Sequence, residues 1–241
     1  MERIINYDNI RSFAYVSDRV CKKPIKGIII EFSGLGDGRT FNEERSDAIA
    51  HGEKGLLFVV PYLNPWSWMN RQAIACTDEI IDVLFEYYNL PDNTPIVAIG
   101  GSMGGQSALV YSYYAKRTPI ACLANCPVCD LVSLYEERSD IPRTLYSSCY
   151  YENGTLKDAL KKASPIYLAE KMPKIPYHIF HCDADTSVNI SHSERFVPVM
   201  KKYQHDITFD VAHGREHCDL TPELWGKFGE YMYKAFKIEN K

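Results

Sequence analysis

Short apolar runs alternate with helical patterns along the chain. The runs are rich in β-branched residues and lie at 27–32, 55–62, 95–100, 119–125, 177–181 and 207–211. Apolar runs of this length are typical of strands that are buried on both faces of a sheet. The stretch 71–90 has apolar residues near a 3.6-residue period and is followed by Pro91, which predicts a helix. The order strand, helix, strand predicts an α/β fold with a mostly parallel central sheet and helices on both faces.

The two ends of the chain carry different signals. The first 20 residues are weakly patterned around SFAYV and predict antiparallel edge strands. Near the other end, Thr221 is a predicted N-cap with Pro222 at the first helical position. Apolar residues from Leu224 to Phe236, among them Trp225, then form one stripe. This pattern predicts a final helix that packs on the sheet.

Residues 131–172 interrupt the alternation. They are charged and rich in tyrosine, and Asn153-Gly154 is a turn signal within them. A long excursion inside a compact domain is usually functional, and the apolar spacing here predicts short helices. We therefore expect one domain over residues 1–241 with a small helical, cap-like insertion at about 131–172.

Composition narrows the possible partners. The 241 residues are 46% hydrophobic, enough for one large core, and the formal net charge is −4 without a basic block. We therefore expect no nucleic-acid partner. Apolar stretches fall short of the roughly 18 residues that a membrane span needs, and the charged N-terminus lacks a secretory pattern. Eight dispersed cysteines favour reduced thiols and a cytoplasmic protein.

The stretch IVAIGGSMGGQSALVY at 96–111 joins a predicted strand to a predicted helix through a glycine cluster. The cluster fits neither the dinucleotide pattern G-x-G-x-x-G nor the phosphate-loop pattern G-x-x-x-x-G-K-[ST]. It does fit G-x-S-x-G, with Ser102 between Gly100 and Gly104, because glycines two residues away leave room for a strained serine. An ordinary tight turn is the alternative. We expect Ser102 to be a nucleophile.

A nucleophilic serine needs an orienting acid and a base, in the chain order serine, acid, histidine. Asp183 and Asp185 follow the run at 177–181, and His213 and His217 follow the run at 207–211. All four therefore lie near carboxyl ends of predicted strands. The spacing alone leaves both choices open.

The chain resembles the serine hydrolases of the α/β-hydrolase superfamily, in the prolyl oligopeptidase-like and small esterase branches. The resemblance covers most of residues 25–236 and is strongest from about residue 164, in SPIYLAEKMPKIPYHIFHCDADTSV. The family's acid lies in H-G-x-x-D-x-x-V, which residues 181–188 match with Cys182 in place of the glycine. The resemblance therefore implies that Asp185 is the acid.

The resemblance also implies a base and an oxyanion hole. The family's histidine follows a short glycine-containing turn before the last helix, which favours His217, although Glu216 stands where a glycine is common. The family's oxyanion loop H-G-x-G corresponds to residues 33–36, with Ser33 in place of histidine. Because backbone amides are the donors, Leu35 and Met103 are the expected ones.

These residues predict a serine hydrolase that cleaves a small carboxylic ester through an acyl-enzyme and needs no cofactor. No propeller domain accompanies the hydrolase segment in this sequence, which places a prolyl oligopeptidase-like peptidase acting on short peptides second. A non-catalytic binding protein on the same fold is third. The expected substrate-binding residues are Trp66, Trp68, Tyr150 and Tyr151. For the two tryptophans, packing under the insertion is the alternative role, and for the two tyrosines it is a structural role. The sequence does not indicate an oligomeric state.

Cysteines beside histidines raise the question of a metal site. Cys126 and Cys129 form C-x-x-C without a second pair. His-Cys pairs occur at 181–182 and 217–218, but adjacent residues on a strand point to opposite faces. We therefore expect no metal.

Overall fold

The computed structural model of the chain describes residues 4–150 and 152–238. Its strands are β1 (Ala14–Val16), β2 (Gly27–Phe32), β3 (Leu56–Pro61), β4 (Ile96–Gly101), β5 (Ala121–Asn125), β6 (Tyr177–Cys182) and β7 (Ile207–Ala212). Its α-helices are α1 (Ser46–Glu53), α2 (Arg71–Tyr87), α3 (Met103–Tyr114), α4 (Leu131–Glu137), α5 (Pro142–Cys149), α6 (Leu156–Lys162), α7 (Pro165–Leu168), α8 (Ser191–Lys202) and α9 (Pro222–Ala235). Short 3₁₀ helices span Ile10–Ser12 and Ala169–Lys171. Within the described ranges, no helix combines the length and apolar composition that a membrane span requires.

The strands form one seven-stranded sheet in the order β1-β3-β2-β4-β5-β6-β7. Strand β1 is antiparallel to β3, as the N-terminal pattern predicts, and every other pairing is parallel. The six apolar runs coincide with β2 to β7. Because these strands are parallel, their carboxyl ends meet at one edge of the sheet, where ligands bind in open α/β sheets.

Helices cover both faces of the sheet, which confirms the predicted fold class. In β2, Ile28 and Ile30 face one core with α2, α3 and α8, whereas Ile29 faces a second core with α1 and α9. All three isoleucines are fully buried. Burial on both faces explains why the strand is a continuous apolar run.

Helix α9 begins as the sequence predicts. The Thr221 hydroxyl accepts a hydrogen bond from the Leu224 amide, and Pro222 occupies the first turn. Its buried face is narrower than the predicted stripe, because only Phe228 and Met232 are buried. Trp225 lies against Phe228 with the ring centroids 5.6 Å apart, but stays 47% exposed.

A helical cap lies between β5 and β6 and contains α4 to α7. Its leucines, Leu131, Leu134 and Leu145 among them, form a third apolar cluster together with Trp68 and Met103. Because Met103 is the first residue of α3, this cluster places the cap beside the turn that carries Ser102.

Candidate active site

Ser102 occupies a strained turn between β4 and α3. Its φ of 60° and ψ of −126° lie in a region that residues with a side chain rarely adopt. Two backbone hydrogen bonds hold it there. Its amide donates to the Asn125 carbonyl at 2.9 Å, and its carbonyl accepts from the Gln106 amide at 3.1 Å. Strain that the surroundings maintain is common at functional sites.

Glycines make this turn possible for steric reasons. A Cβ on Gly100 would lie 2.3 Å from the carbonyl oxygen of Gly104, and a Cβ on Gly104 would lie 2.0 Å from the carbonyl oxygen of Phe32. Both distances are far inside van der Waals contact. Steric exclusion of a side chain therefore explains why the pattern G-x-S-x-G has a glycine two residues before the serine and another two residues after it.

Asp185 and His217 meet beside the same cavity that Ser102 lines. The Asp185 Oδ2 atom lies 2.6 Å from His217 Nδ1, and its Oδ1 atom accepts hydrogen bonds from the Ser187 and Val188 amides, each at 2.8 Å. His217 and Ser102 both line the cavity. No hydrogen bond joins the Ser102 hydroxyl to the imidazole of His217, and such contacts often tighten only when substrate is bound.

The other predicted alternatives, Asp183 and His213, also form a pair. His213 Nδ1 lies 2.7 Å from Asp183 Oδ2, and the Gly214 amide donates to Asp183 Oδ1 at 2.6 Å. The His213 side chain is 83% exposed, whereas the Asp185 side chain is fully buried. Neither member of the exposed pair lines the cavity with Ser102.

The buried pair is electrostatically coupled. Burial opposes the charge on His217, but the Asp185 carboxylate and the adjacent Cys126 raise the pKa of His217 to about 9. Burial also disfavours the charge on Asp185, but hydrogen bonds from His217 and the backbone hold the pKa of this carboxyl below its usual value. At neutral pH the pair is therefore an imidazolium and a carboxylate.

Two backbone amides are available as hydrogen-bond donors near Ser102. The loop after β2 turns at Gly36, whose φ is 79° and whose amide donates to the Pro65 carbonyl at 2.8 Å. The amides of Leu35 and Met103 donate to no acceptor within the described part of the chain. Met103 also lies at the N-terminus of α3, where the helix dipole favours negative charge.

The cavity at the carboxyl ends of the strands has a volume of about 850 Å³. Besides the residues above, the residues that line it include Glu31, Phe32, Asp37, Arg39, Phe41, Arg45, Asp47, Arg138 and Cys218. The arginines are paired with carboxylates: Arg39 with Asp37 at 2.7 Å and Arg138 with Asp140 at 2.7 Å. Arg45 pairs with both Glu31 and Asp47. The wall is therefore mainly polar and carries charges of both signs.

Of the predicted substrate-binding residues, Trp66, Trp68 and Tyr150 do not line this cavity. Trp68 is 1% exposed within the cap cluster, and its indole N–H donates to the Thr144 hydroxyl at 3.1 Å. Trp66 is 40% exposed, and Tyr150 lines a separate cavity of about 150 Å³ with Tyr146. Tyr151 lies outside the described residues. The cap contributes Arg138 to the wall instead.

Several cavity residues escaped the sequence argument. Arg39 and Arg45 lie in the segment between β2 and α1, and Cys218 lies in the loop between β7 and α9. The sequence signal that could have found these residues was their position, because each of them follows the carboxyl end of a predicted strand. Arginine and cysteine carry no spacing pattern of their own that would have separated them from surface or core residues.

The chain is similar to known hydrolases in sequence and in fold. A family model described as "Prolyl oligopeptidase family" matches residues 71–237. A search of curated proteins found no match to the sequence. The fold matches a puromycin hydrolase (TM-score 0.73, 14% identity, 90% of this chain and 35% of the other). It also matches an acylaminoacyl peptidase from Pyrococcus horikoshii (TM-score 0.71, 16% identity, 92% and 39%).

A third structure has a length close to that of this chain. It is a thermophilic esterase from Thermogutta terrifontis, with a TM-score of 0.65 and 18% identity. The match covers 95% of this chain and 91% of the esterase. By contrast, the chain spans only 35% of the puromycin hydrolase and 39% of the acylaminoacyl peptidase. At such low identities, the likeness of all three establishes the fold.

Proposed function

The chain belongs to the prolyl oligopeptidase family of serine hydrolases, and we propose that Ser102, Asp185 and His217 form its catalytic triad. The observation that carries this proposal is the strained Ser102 in one cavity with His217, whose Nδ1 atom contacts the buried Asp185. A serine that faces a cavity from a sharp strand-to-helix turn, together with a hydrogen-bonded histidine and carboxylate, is what nucleophilic catalysis requires.

The proposed reaction is acyl transfer to water. His217 Nε2 takes the proton of the Ser102 hydroxyl as Oγ attacks the acyl carbon, and Asp185 stabilises the imidazolium that forms. The Leu35 and Met103 amides donate to the oxyanion of the tetrahedral intermediate. His217 then gives the proton to the leaving group, and the acyl-enzyme forms. Water hydrolyses the acyl-enzyme by the same steps, so the residues of this chain suffice for the chemistry.

The proposed substrate is a small carboxylic ester with a short acyl group. Phe32, Leu35 and Phe41 supply apolar surface to the cavity, whereas most of the wall is polar or charged. Each buried methylene gains about 0.8 kcal/mol only against an apolar wall, and burying an alkyl chain against paired charges costs desolvation. Long acyl chains therefore gain little in this cavity.

A series of p-nitrophenyl esters tests this preference. We expect kcat/KM for acetate or butyrate esters to exceed that for the decanoate ester by at least about tenfold. The Ser102→Ala variant, assayed in parallel, corrects for spontaneous hydrolysis. A kcat/KM that rises steadily with acyl length would contradict the proposed substrate class.

A peptidase is the second candidate. The family itself favours it, as do the peptidases among the structures that share the fold. Amides of aminoacyl-proline dipeptides distinguish the two candidates. Turnover of these amides without turnover of short esters would replace the esterase proposal by the peptidase one. Turnover of neither, with no labelling by a fluorophosphonate, would indicate a non-catalytic binding protein.

The pH dependence of the reaction should report the state of His217. A general base acts only when deprotonated, and the pKa of His217 is raised from 6.5 to about 9. We therefore expect kcat/KM for a short ester to increase between about pH 7 and about pH 9, since the raised pKa places the acid limb there. In Asp185→Asn, the residual activity should have its acid limb at lower pH, because the attraction that raises the pKa is removed. A plateau already reached at neutral pH would contradict this electrostatic account.

A further inference from the structure

One histidine and two cysteines, contributed by two loops, meet beside the cavity. One ring nitrogen of His217 and the sulfurs of Cys126 and Cys218 all lie within 4.8 Å of one another. The Nε2 atom of His217 is 3.7 Å from the Cys218 sulfur. Tetrahedral zinc bonds place nitrogen and sulfur ligands roughly 3.6 Å apart. We propose that these three side chains bind a zinc ion, which reversibly inhibits the enzyme.

The backbone explains why neighbouring residues converge here. On a strand, His217 and Cys218 would point to opposite faces, which is the sequence argument against a metal. They lie instead in the loop between β7 and α9, where Cys218 has a φ of 59°. Cys126, just after β5, has a φ of 44°. These left-handed conformations are strained for cysteine and bring both thiols towards one ring.

The surroundings of the three side chains resemble the outer shell of a metal site. Asp185 lies 2.6 Å from His217 Nδ1, which leaves Nε2 for a metal, and carboxylates commonly orient zinc-bound histidines in this way. The Cys126 sulfur accepts hydrogen bonds from the Cys182 amide at 3.4 Å and the Cys218 amide at 3.3 Å. Such bonds orient a sulfur ligand.

Three protein ligands leave one tetrahedral position of zinc for water. His217 and Cys218 both line the cavity, so an ion can reach them from solvent. Binding forms one Zn–N and two Zn–S bonds and, at neutral pH, releases three protons, one from each thiol and one from Nε2 of the His217 imidazolium. The ion then occupies the Nε2 lone pair that accepts the proton of Ser102. The inhibition therefore depends on the proposed function, whereas the binding itself does not.

Cobalt(II) provides a direct probe of the site, because thiolate ligands give it intense charge-transfer absorption. We expect the metal-free chain, kept reduced with a phosphine, to bind a single equivalent of Co²⁺ with such bands, and Zn²⁺ to abolish them. Cys218→Ser should lose the bands, and Cys126→Ser gives a second test if that variant does not fold. Cys76→Ser is the matched control, because this half-buried thiol lies on α2. Absence of the bands in the folded wild-type chain overturns the proposal.

Enzyme kinetics test the inhibition. Zn²⁺ should lower the turnover of a short ester, and a chelator should restore it. We expect the zinc concentration for half-inhibition, relative to the metal-free rate of each variant, to rise at least about tenfold in Cys218→Ser and to stay unchanged in Cys76→Ser. Inhibition that only a thiol reductant reverses would indicate a Cys126–Cys218 disulfide and overturn the inhibitory zinc site. Cobalt bands without any esterase or peptidase activity would refute the proposed function but leave the metal site standing.

Discussion

Replacing Ser102 by alanine is expected to lower kcat by roughly 10⁴- to 10⁶-fold, because the nucleophile of a cooperative triad is lost. The oxyanion donors and the Asp185–His217 pair remain in place, so the residual rate measures what they contribute without a nucleophile. Initial rates with p-nitrophenyl acetate, after subtraction of the spontaneous hydrolysis measured without enzyme, determine the loss.

The alanine variant should keep its fold. Alanine retains the Cβ at the strained position, and the Ser102 side chain makes no hydrogen bond within the described part of the chain. We expect the free energy of unfolding to change by no more than about 0.5 kcal/mol. Turnover near the wild-type rate in a folded variant would contradict the nucleophilic role of Ser102.

Asp185→Asn should lower kcat on the order of 10⁴-fold, whereas Asp183→Asn should lower it less than about tenfold. Asparagine cannot stabilise the imidazolium and favours the wrong tautomer of His217. Of the two aspartates, Asp185 is the one that contacts His217, which lines the cavity with Ser102. Steady-state kinetics on both variants with one ester measure the difference.

These two variants control for each other. Each aspartate accepts hydrogen bonds from a histidine and from the backbone, so the chemical change is the same at both positions. They differ in the burial and location of the histidine that they hold. A larger loss in Asp183→Asn than in Asp185→Asn would assign the acid to Asp183 and the base to His213.

The sheet could be predicted from sequence because burial on both faces leaves a strong local signal. The runs at 27–32 and 207–211 match β2 and β7 to within a residue. The turn at Ser102 could also be predicted from the sequence, because neighbouring backbone atoms exclude a side chain at Gly100 and at Gly104. Helix α8 was not predicted, and Pro198 within it is a residue that normally argues against a helix interior.

Cavity walls were harder to predict, because long-range packing decides which side of a ring meets solvent. Trp68 is held by Thr144, which is 76 positions away in the sequence, and this contact turns the indole into the cap. An aromatic residue beside a catalytic loop has the same sequence signature whether it lines a cavity or fills a core. The close approach of Cys126 and Cys218 could not be predicted either, because it depends on the backbone φ angles of both residues rather than on their spacing in the sequence.

The measurement that tests the proposed triad most directly is covalent labelling of the wild-type chain with a fluorophosphonate, followed by mass-spectrometric mapping of the labelled peptide. We expect a label on Ser102, formed more slowly in Asp185→Asn than in Asp183→Asn. A folded wild-type chain that takes up no label, or that is labelled at another residue and not at Ser102, would contradict the proposed triad.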